Sequence, residues 1–182
     1  NVNHLEAVVL LESAMPMTLL QDDALWVKTF RKPLEAPSEA LLSNPLQVPY
    51  DCQLDNPSTE GWRECFSRSC AMVAMYWGVI EHQNEYHQRR PKYGDSTDAS
   101  AQIRTLESFG LKARFVQVGS VEKLKAQLDR GRPAPVGFLH HGTGHGTGGG
   151  HYLCAIGYYD DANGGGLIAN DPFGELDVIN GG

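Results

Sequence analysis

The spacing of apolar residues divides the chain after residue 44 into a mainly helical half and a strand half. Apolar positions at helical spacing predict helices over 65–77, 98–109 and 121–128. Each of these runs is closed by a nearby glycine, the residue favoured after a helix C-terminus. A serine, Ser120, stands where the N-cap of the third helix is expected. The pattern therefore predicts three amphipathic or buried helices in the main part of the chain.

Strand patterns dominate the second half. Runs of apolar and β-branched residues predict strands over 112–118, 135–139, 152–159 and 166–169. The last two are separated by a polar, glycine-containing turn at 160–165, which predicts an antiparallel pair. Helices that come mostly before strands are typical of an α+β fold and not of an alternating, doubly wound sheet.

Residues 1–44 have a different pattern and predict a small separate unit. Two apolar runs, 6–12 and 24–30, predict the strands of a β-hairpin-like appendage. Three prolines in the following stretch predict a linker. We therefore divide the chain into an N-terminal appendage with its linker, residues 1–44, and a main domain, residues 45–182.

Composition and charge exclude several classes of protein. A hydrophobic content of 41% with 20% charged residues is typical of a globular domain with a sizeable core. The net charge of −7 argues against a nucleic-acid partner. No apolar run has the length of a membrane span, and no signal peptide is visible. The chain starts at Asn1 without Met and stops at Gly182, so we expect a processed product or a fragment with a truncated C-terminus.

The four cysteines are not equivalent. Their spacing is neither a disulfide framework nor a zinc motif, so we expect reduced thiols. Cys70 and Cys154 lie inside apolar runs, where a buried free thiol is common, and Cys52 precedes any helix. Cys65 stands where a loop gives way to a predicted helix. Unpaired N–H groups and the helix dipole favour an anion at such a position, which makes a thiol there a better nucleophile.

Three distant residues could complete an active site around Cys65. His151 opens a strand after a glycine run and could act as a base, although a plain loop histidine is the alternative. Asp171 follows the next strand and could orient His151, although an Asx turn before proline explains it equally well. Gln53, in the loop upstream, could donate its amide to an oxyanion, but a lone loop glutamine is not specific.

The local sequences around these residues resemble one family, the bacteriocin-processing, double-glycine-leader cysteine peptidases and their stand-alone relatives. The segment from Cys65 through Ser69 to Val73 is similar to the nucleophile helix of that family. The other similar segments are Gly150-His151-Tyr152 (histidine strand), Asn170-Asp171-Pro172-Phe173-Gly174 (aspartate motif) and Val48-Pro49-Tyr50 with Gln53 (oxyanion segment).

The resemblance covers residues 47–174 and departs from the family at one point. The usual Gly-Pro after the nucleophile is Phe66-Ser67 here, which indicates a divergent stand-alone member whose substrate preference differs. The resemblance implies a papain-like cysteine peptidase fold, with N-terminal helices packed on an antiparallel sheet. It implies a Cys65–His151–Asp171 triad with Gln53 as the oxyanion donor, a peptide or protein substrate, and no cofactor or metal.

Substrate and location stay open at this point. The glycines of 142–150 favour cleavage after small residues such as glycine, and the candidate substrate contacts are Trp62, Gly149 and Gly150. Since related domains occur in secreted bacterial proteins and in phage lysis proteins, an endolysin-like peptidoglycan endopeptidase is an alternative. The resemblance implies a bacterial or phage-encoded soluble protein, either cytoplasmic or released at the cell wall.

Two further functions from other classes are weighed against a peptidase. One is a metal-binding module built from the histidines between strands, although their spacing matches no standard metal motif; they are His140, His141, His145 and His151. The other is a catalytically inactive binding domain that kept the fold. The complete set of Cys, His, Asp and Gln argues against it.

Overall fold

The structure, a computed structural model of the chain, describes residues 5–14, 44–55, 60–140, 149–162 and 165–174. These residues form four α-helices and five β-strands. The helices are α1 (Cys65–Tyr76), α2 (Gln83–Arg89), α3 (Ala99–Ser108) and α4 (Val121–Leu128). The strands are β1 (Leu5–Ala14), β2 (Leu111–Gln117), β3 (Ala134–His140), β4 (Gly149–Tyr159) and β5 (Gly166–Asn170).

The strands form one antiparallel sheet in the order β2-β1-β3-β4-β5. Helix α1 packs on β3 and β4, and its residues from Phe66 to Ala74 are buried. The main core lies between α1 and the sheet and includes Met72, Leu106 and Ile156. The predicted α+β class, with helices packed on an antiparallel sheet, is confirmed.

The helices that the sequence predicts are present with shorter ends. Helix α3 begins after Asp98, whose carboxylate accepts a hydrogen bond from the Ser100 N–H at 2.8 Å. Helix α4 has its predicted bounds, and the Ser120 hydroxyl accepts a hydrogen bond from the Lys123 N–H at 3.2 Å. Helix α2 was not predicted. Its sequence is polar on most sides, and only Tyr86 is buried in it.

Strand β1 places the N-terminal segment in the same sheet as the main domain. It contains the first strand predicted for the appendage, and it pairs with β2 on one side and with β3 on the other. The second predicted strand, 24–30, lies outside the described residues, as does most of the predicted linker. The division of the chain at residue 44 stays a prediction.

Candidate active site

Cys65 is the first residue of α1, as its position before an apolar helical run predicts. Its thiol is partly accessible, whereas Cys70 and Cys154 are fully buried. Burial raises the pKa of the Cys70 and Cys154 thiols, so these two are held as uncharged core residues. Cys52 is partly exposed but lies outside any helix, in hydrogen-bonding contact with Tyr50. Only Cys65 combines access with a helix N-terminus.

His151 and Asp171 meet across the β4–β5 edge of the sheet. His151 lies in β4, opposite Phe138 of β3, and Asp171 follows the last residue of β5. The His151 Nε2 lies 2.7 Å from the Asp171 Oδ1. The same Asp171 oxygen accepts a hydrogen bond from the Phe173 N–H at 2.9 Å, so the Asx turn and the contact with histidine exist together.

The surroundings of His151 favour its imidazolium form beside the Asp171 carboxylate. Burial lowers the pKa of His151, but hydrogen bonds and charge from Asp171 and Cys65 outweigh it and raise the pKa to about 9. Burial raises the pKa of Asp171, but hydrogen bonds from His151 and from the Phe173 N–H bring it below the usual value. Because Nε2 is bound to Asp171, Nδ1 is the ring nitrogen left for the Cys65 thiol.

Two hydrogen bonds connect Gln53 to the Asp171 turn and to the loop before Cys65. It is buried in a short 3-10 turn, Gln53–Asp55, and its backbone N–H donates to the Pro172 carbonyl at 2.7 Å. Its side-chain Nε2 donates to the Gly61 carbonyl at 2.9 Å, which uses one of the two amide hydrogens. The structure thus joins the Gln53 segment to the Asp171 turn and to the loop that leads into Cys65.

The predicted substrate contacts come shortly before Cys65 and His151 in the chain. Trp62 is 68% exposed, shortly before Cys65, and the Arg63 guanidinium lies 5.9 Å from the centre of its ring. Gly149 and Gly150 are the first residues of β4, directly before His151. A Cβ atom added at Gly150 would meet no heavy atom within 4 Å, so packing does not require glycine there.

Phe66, the residue that departs from the family pattern, is part of the core. It is 1% exposed, and its ring stacks on that of Tyr152 with centroids 3.8 Å apart and an angle of 7° between the planes. Ser67 is also buried and accepts a hydrogen bond from the Gln102 amide. Because neither side chain is exposed to solvent, an effect of these two residues on substrate preference would be indirect, and that expectation stays a prediction. The stack links the residue after Cys65 to the residue after His151.

Two buried ion pairs near Cys65 were missed by the sequence analysis. Arg90 Nη2 lies 2.9 Å from Glu64 Oε1, and this ion pair fixes the residue just before Cys65. Arg68 Nη1 lies 3.0 Å from Asp51 Oδ2, and both side chains are almost fully buried. An arginine inside an apolar helical run was the available signal, because a buried charge is normally paired.

The histidine cluster considered for metal binding is only partly described. His141 and His145 lie outside the described residues, and His151 faces Asp171 and Cys65. Across the described ranges, no group of three or more His, Cys, Asp or Glu side chains is placed to hold a metal ion. The same ranges contain no helix long and apolar enough to cross a membrane.

One of three comparisons with known proteins identifies a family. No curated protein and no solved structure shows significant similarity to the chain. The sequence profile of the Peptidase_C39 like family matches residues 45–179, a span that contains α1, the sheet edge of His151 and the Asp171 turn. The chain therefore belongs to the Peptidase_C39 like family, as a divergent papain-like relative of the bacteriocin-processing peptidases.

Proposed function

We propose that the protein is a cysteine peptidase that cleaves peptide bonds by acyl transfer through Cys65. The observation that carries this proposal is the contact of His151 with two residues. One is Cys65, at the start of the buried helix α1, and the other is Asp171. A thiol, a base and an orienting carboxylate in mutual contact are the parts that nucleophilic catalysis of this kind requires.

Each residue has a defined role in the proposed reaction. His151 accepts the Cys65 proton at Nδ1, while Asp171 holds the Nε2–H and stabilises the imidazolium. The thiolate then attacks the carbonyl carbon of the peptide bond, and the Gln53 amide with the Cys65 N–H stabilises the oxyanion. His151 protonates the leaving amine as the C–N bond breaks. Water, activated by His151, releases the acyl group from the sulfur.

We propose that the cleft accepts small residues such as glycine next to the scissile bond. The support is Gly150, an exposed glycine beside His151 that the fold itself does not require. A strand without side chains at this point lets the backbone of a substrate approach closely, and the exposed Trp62 ring is the second proposed substrate contact. A peptide panel tests this, and a strong preference for bulky residues at that position would contradict it.

A peptidoglycan endopeptidase is a narrower form of the same activity, because cell-wall peptides carry small residues that the same cleft would accept. Purified peptidoglycan should be compared with soluble peptides that have the same sequences as its cross-links. Cleavage of the soluble peptides alone would favour the broader activity.

Thiol labelling tests the proposed nucleophile without knowledge of the substrate. The protein is treated with iodoacetamide, and the rate of alkylation of each cysteine is followed by mass spectrometry. Cys65 should react fastest at pH 7, and His151→Ala should slow it about tenfold or more, because the base and counter-ion are lost. His82→Asn, which changes an exposed histidine and keeps a side-chain acceptor at the N-cap of α2, is the matched control. Faster labelling of Cys52, or no dependence on His151, would overturn the assignment.

A further inference from the structure

Helix α1 buries an arginine that packing alone does not explain. Arg68 is 1% exposed and contacts Asp51 through Nη1 at 3.0 Å. Among the described residues, its Nε and Nη2 have no hydrogen-bond partner, although both are buried. Replacing such an ion pair with apolar residues is often neutral or stabilising. A gain in stability is therefore a weak reason for this pair to be present.

The two residues of this ion pair, Asp51 and Arg68, lie close in sequence to Gln53 and to Cys65, respectively. Asp51 lies just before Gln53 in the same segment, and Arg68 lies one helical turn after Cys65, on the same side of α1. The ion pair is thus a direct link between the helix that carries the nucleophile and the segment that carries the oxyanion donor.

The other polar contacts of the segment lead to the Asp171 turn and to the loop before Cys65, where the Gln53 Nε2 donates to the Gly61 carbonyl at 2.9 Å. The Gln53 N–H donates to the Pro172 carbonyl, and the Asn170 side chain donates to the Val48 carbonyl, so both bonds join the segment to the Asp171 turn. A cavity of about 280 Å³ lies beside the segment, lined among others by Cys52 and His82. Met75 of α1 lines the same cavity, so open space partly separates the segment from α1, and the Asp51–Arg68 ion pair connects the two directly.

We propose that Asp51 and Arg68 are positioning residues that hold the Gln53 amide in place for the oxyanion formed at Cys65. This inference rests on the proposed function above. In this role the ion pair acts on the Gln53 amide and not on the Cys65 thiol or the His151 imidazole. Its loss should therefore slow reactions that pass through a tetrahedral oxyanion and leave simple thiolate chemistry at Cys65 unchanged.

Two small probes separate these reactions. Iodoacetamide alkylates the thiolate by displacing iodide at a saturated carbon, so no oxyanion forms. With p-nitrophenyl acetate, the thiolate adds to the ester carbonyl, and the tetrahedral intermediate expels p-nitrophenolate to leave an acetyl thioester on Cys65. The measured quantity is the ratio of the acetylation rate constant to the alkylation rate constant at Cys65, which cancels changes in thiolate content.

The variants are Asp51→Asn, Arg68→Met and the paired change Asp51→Leu with Arg68→Met, each with Gln53 and with Gln53→Ala. The paired change removes the charges together, so it keeps the test open if a single change prevents folding. Gln53→Ala alone should lower the ratio by about 100-fold or more, as loss of one oxyanion donor does. The Asp51 and Arg68 variants should lower it by about 10-fold to 100-fold, as a small misplacement does.

The Gln53→Ala background decides whether the pair acts through Gln53. In that background the Asp51 and Arg68 variants should lower the ratio no further, since the group that they position is already absent. Arg89→Met, which removes a part-buried arginine that donates to the Ser108 carbonyl at the end of α3, is the matched control and should leave the ratio unchanged.

Three results would count against these roles in different ways. A ratio that stays constant in the Asp51 and Arg68 variants, or that falls equally with Gln53→Ala present, overturns the positioning role alone. A ratio that Gln53→Ala itself leaves unchanged overturns the oxyanion role of Gln53 and the positioning role with it. Slow or His151-independent labelling of Cys65 overturns the proposed function instead.

Discussion

Removal of the Asp171 charge should shift the titration of His151 toward lower pH. The carboxylate lies 2.7 Å from Nε2, and its hydrogen bond and charge help raise the pKa of His151 to about 9, against the effect of burial. Asp171→Asn keeps the size of the side chain and one acceptor oxygen but removes the negative charge. It therefore tests the electrostatic part of the contact with little change in packing.

The magnitude follows from the pKa of His151. A rise from 6.5 to about 9 corresponds to a preference of the folded protein for the imidazolium of about 3 kcal/mol. Asp171 and Cys65 share this preference. A nearby opposite charge typically supplies about 1 to 3 pH units, so we expect Asp171→Asn to lower the pKa of His151 by about 1 to 2 pH units.

The assay is an NMR titration of the His151 ring in a Cys65→Ala background, where the thiol no longer contributes. The resonance is assigned by its absence in His151→Gln. In the active protein, kcat/KM for a peptide amide should fall above about pH 9 as the imidazolium is lost, and Asp171→Asn should move that fall to lower pH. If His151 titrates at the same pH with aspartate and with asparagine, the contact with Asp171 does not cause the raised pKa.

The same shift has a consequence for stability. A group whose pKa is raised in the folded state stabilises the protein fully below its unfolded pKa, and this contribution is lost as pH rises through the folded pKa. For His151 that window runs from 6.5 to about 9. The free energy of unfolding should therefore fall across it, and urea unfolding should show a smaller fall in Asp171→Asn.

Two further predictions concern the packing around the Tyr152 ring of β4. Phe66→Ala should destabilise the protein by about 3 to 5 kcal/mol and slow alkylation of Cys65, whereas Phe115→Ala, at a more exposed position of β2, should have little effect in the same urea unfolding and labelling assays. Gly137→Ala should cost about 1 to 3 kcal/mol, because its Cβ would lie 2.6 Å from the Tyr152 ring, and Gly150→Ala is the control with no such contact. Equal stabilities of the two glycine variants would refute this account of Gly137.

The residues with local signals were predictable from the sequence. A thiol before an apolar helical run, and a histidine that opens a strand, each depend on a pattern of a few neighbours, and the structure places Cys65 and His151 at these positions. Asp171 was found in the same way from the strand before it. Strands β3 and β5 and helix α4 were predicted closely, because their apolar residues recur at the spacing typical of each element, whereas β4 begins at Gly149, before the predicted start at residue 152.

The features that the sequence did not reveal depend on contacts between distant segments. Helix α2 has a single buried residue, Tyr86, so it lacks an apolar stripe, and its capping box at His82 and Glu85 was overlooked. The apolar pattern of β1 predicts a strand but not its neighbours, which are β2 and β3. The pairing of Arg68 with Asp51 links two segments whose sequences give no hint of each other.

The packing of Phe66 explains how the fold accommodates a large residue directly after Cys65. Phe66 fills space beside Tyr152, and Tyr152 in turn lies over Gly137 of the next strand, where any side chain would collide with the ring. A large residue at 66 thus requires a flat ring at 152 and no side chain at 137. Because Tyr152 follows His151 in the chain, this stack packs β4 against the first turn of α1. Phe66 therefore contributes to the contact between the helix that begins at Cys65 and the strand that contains His151.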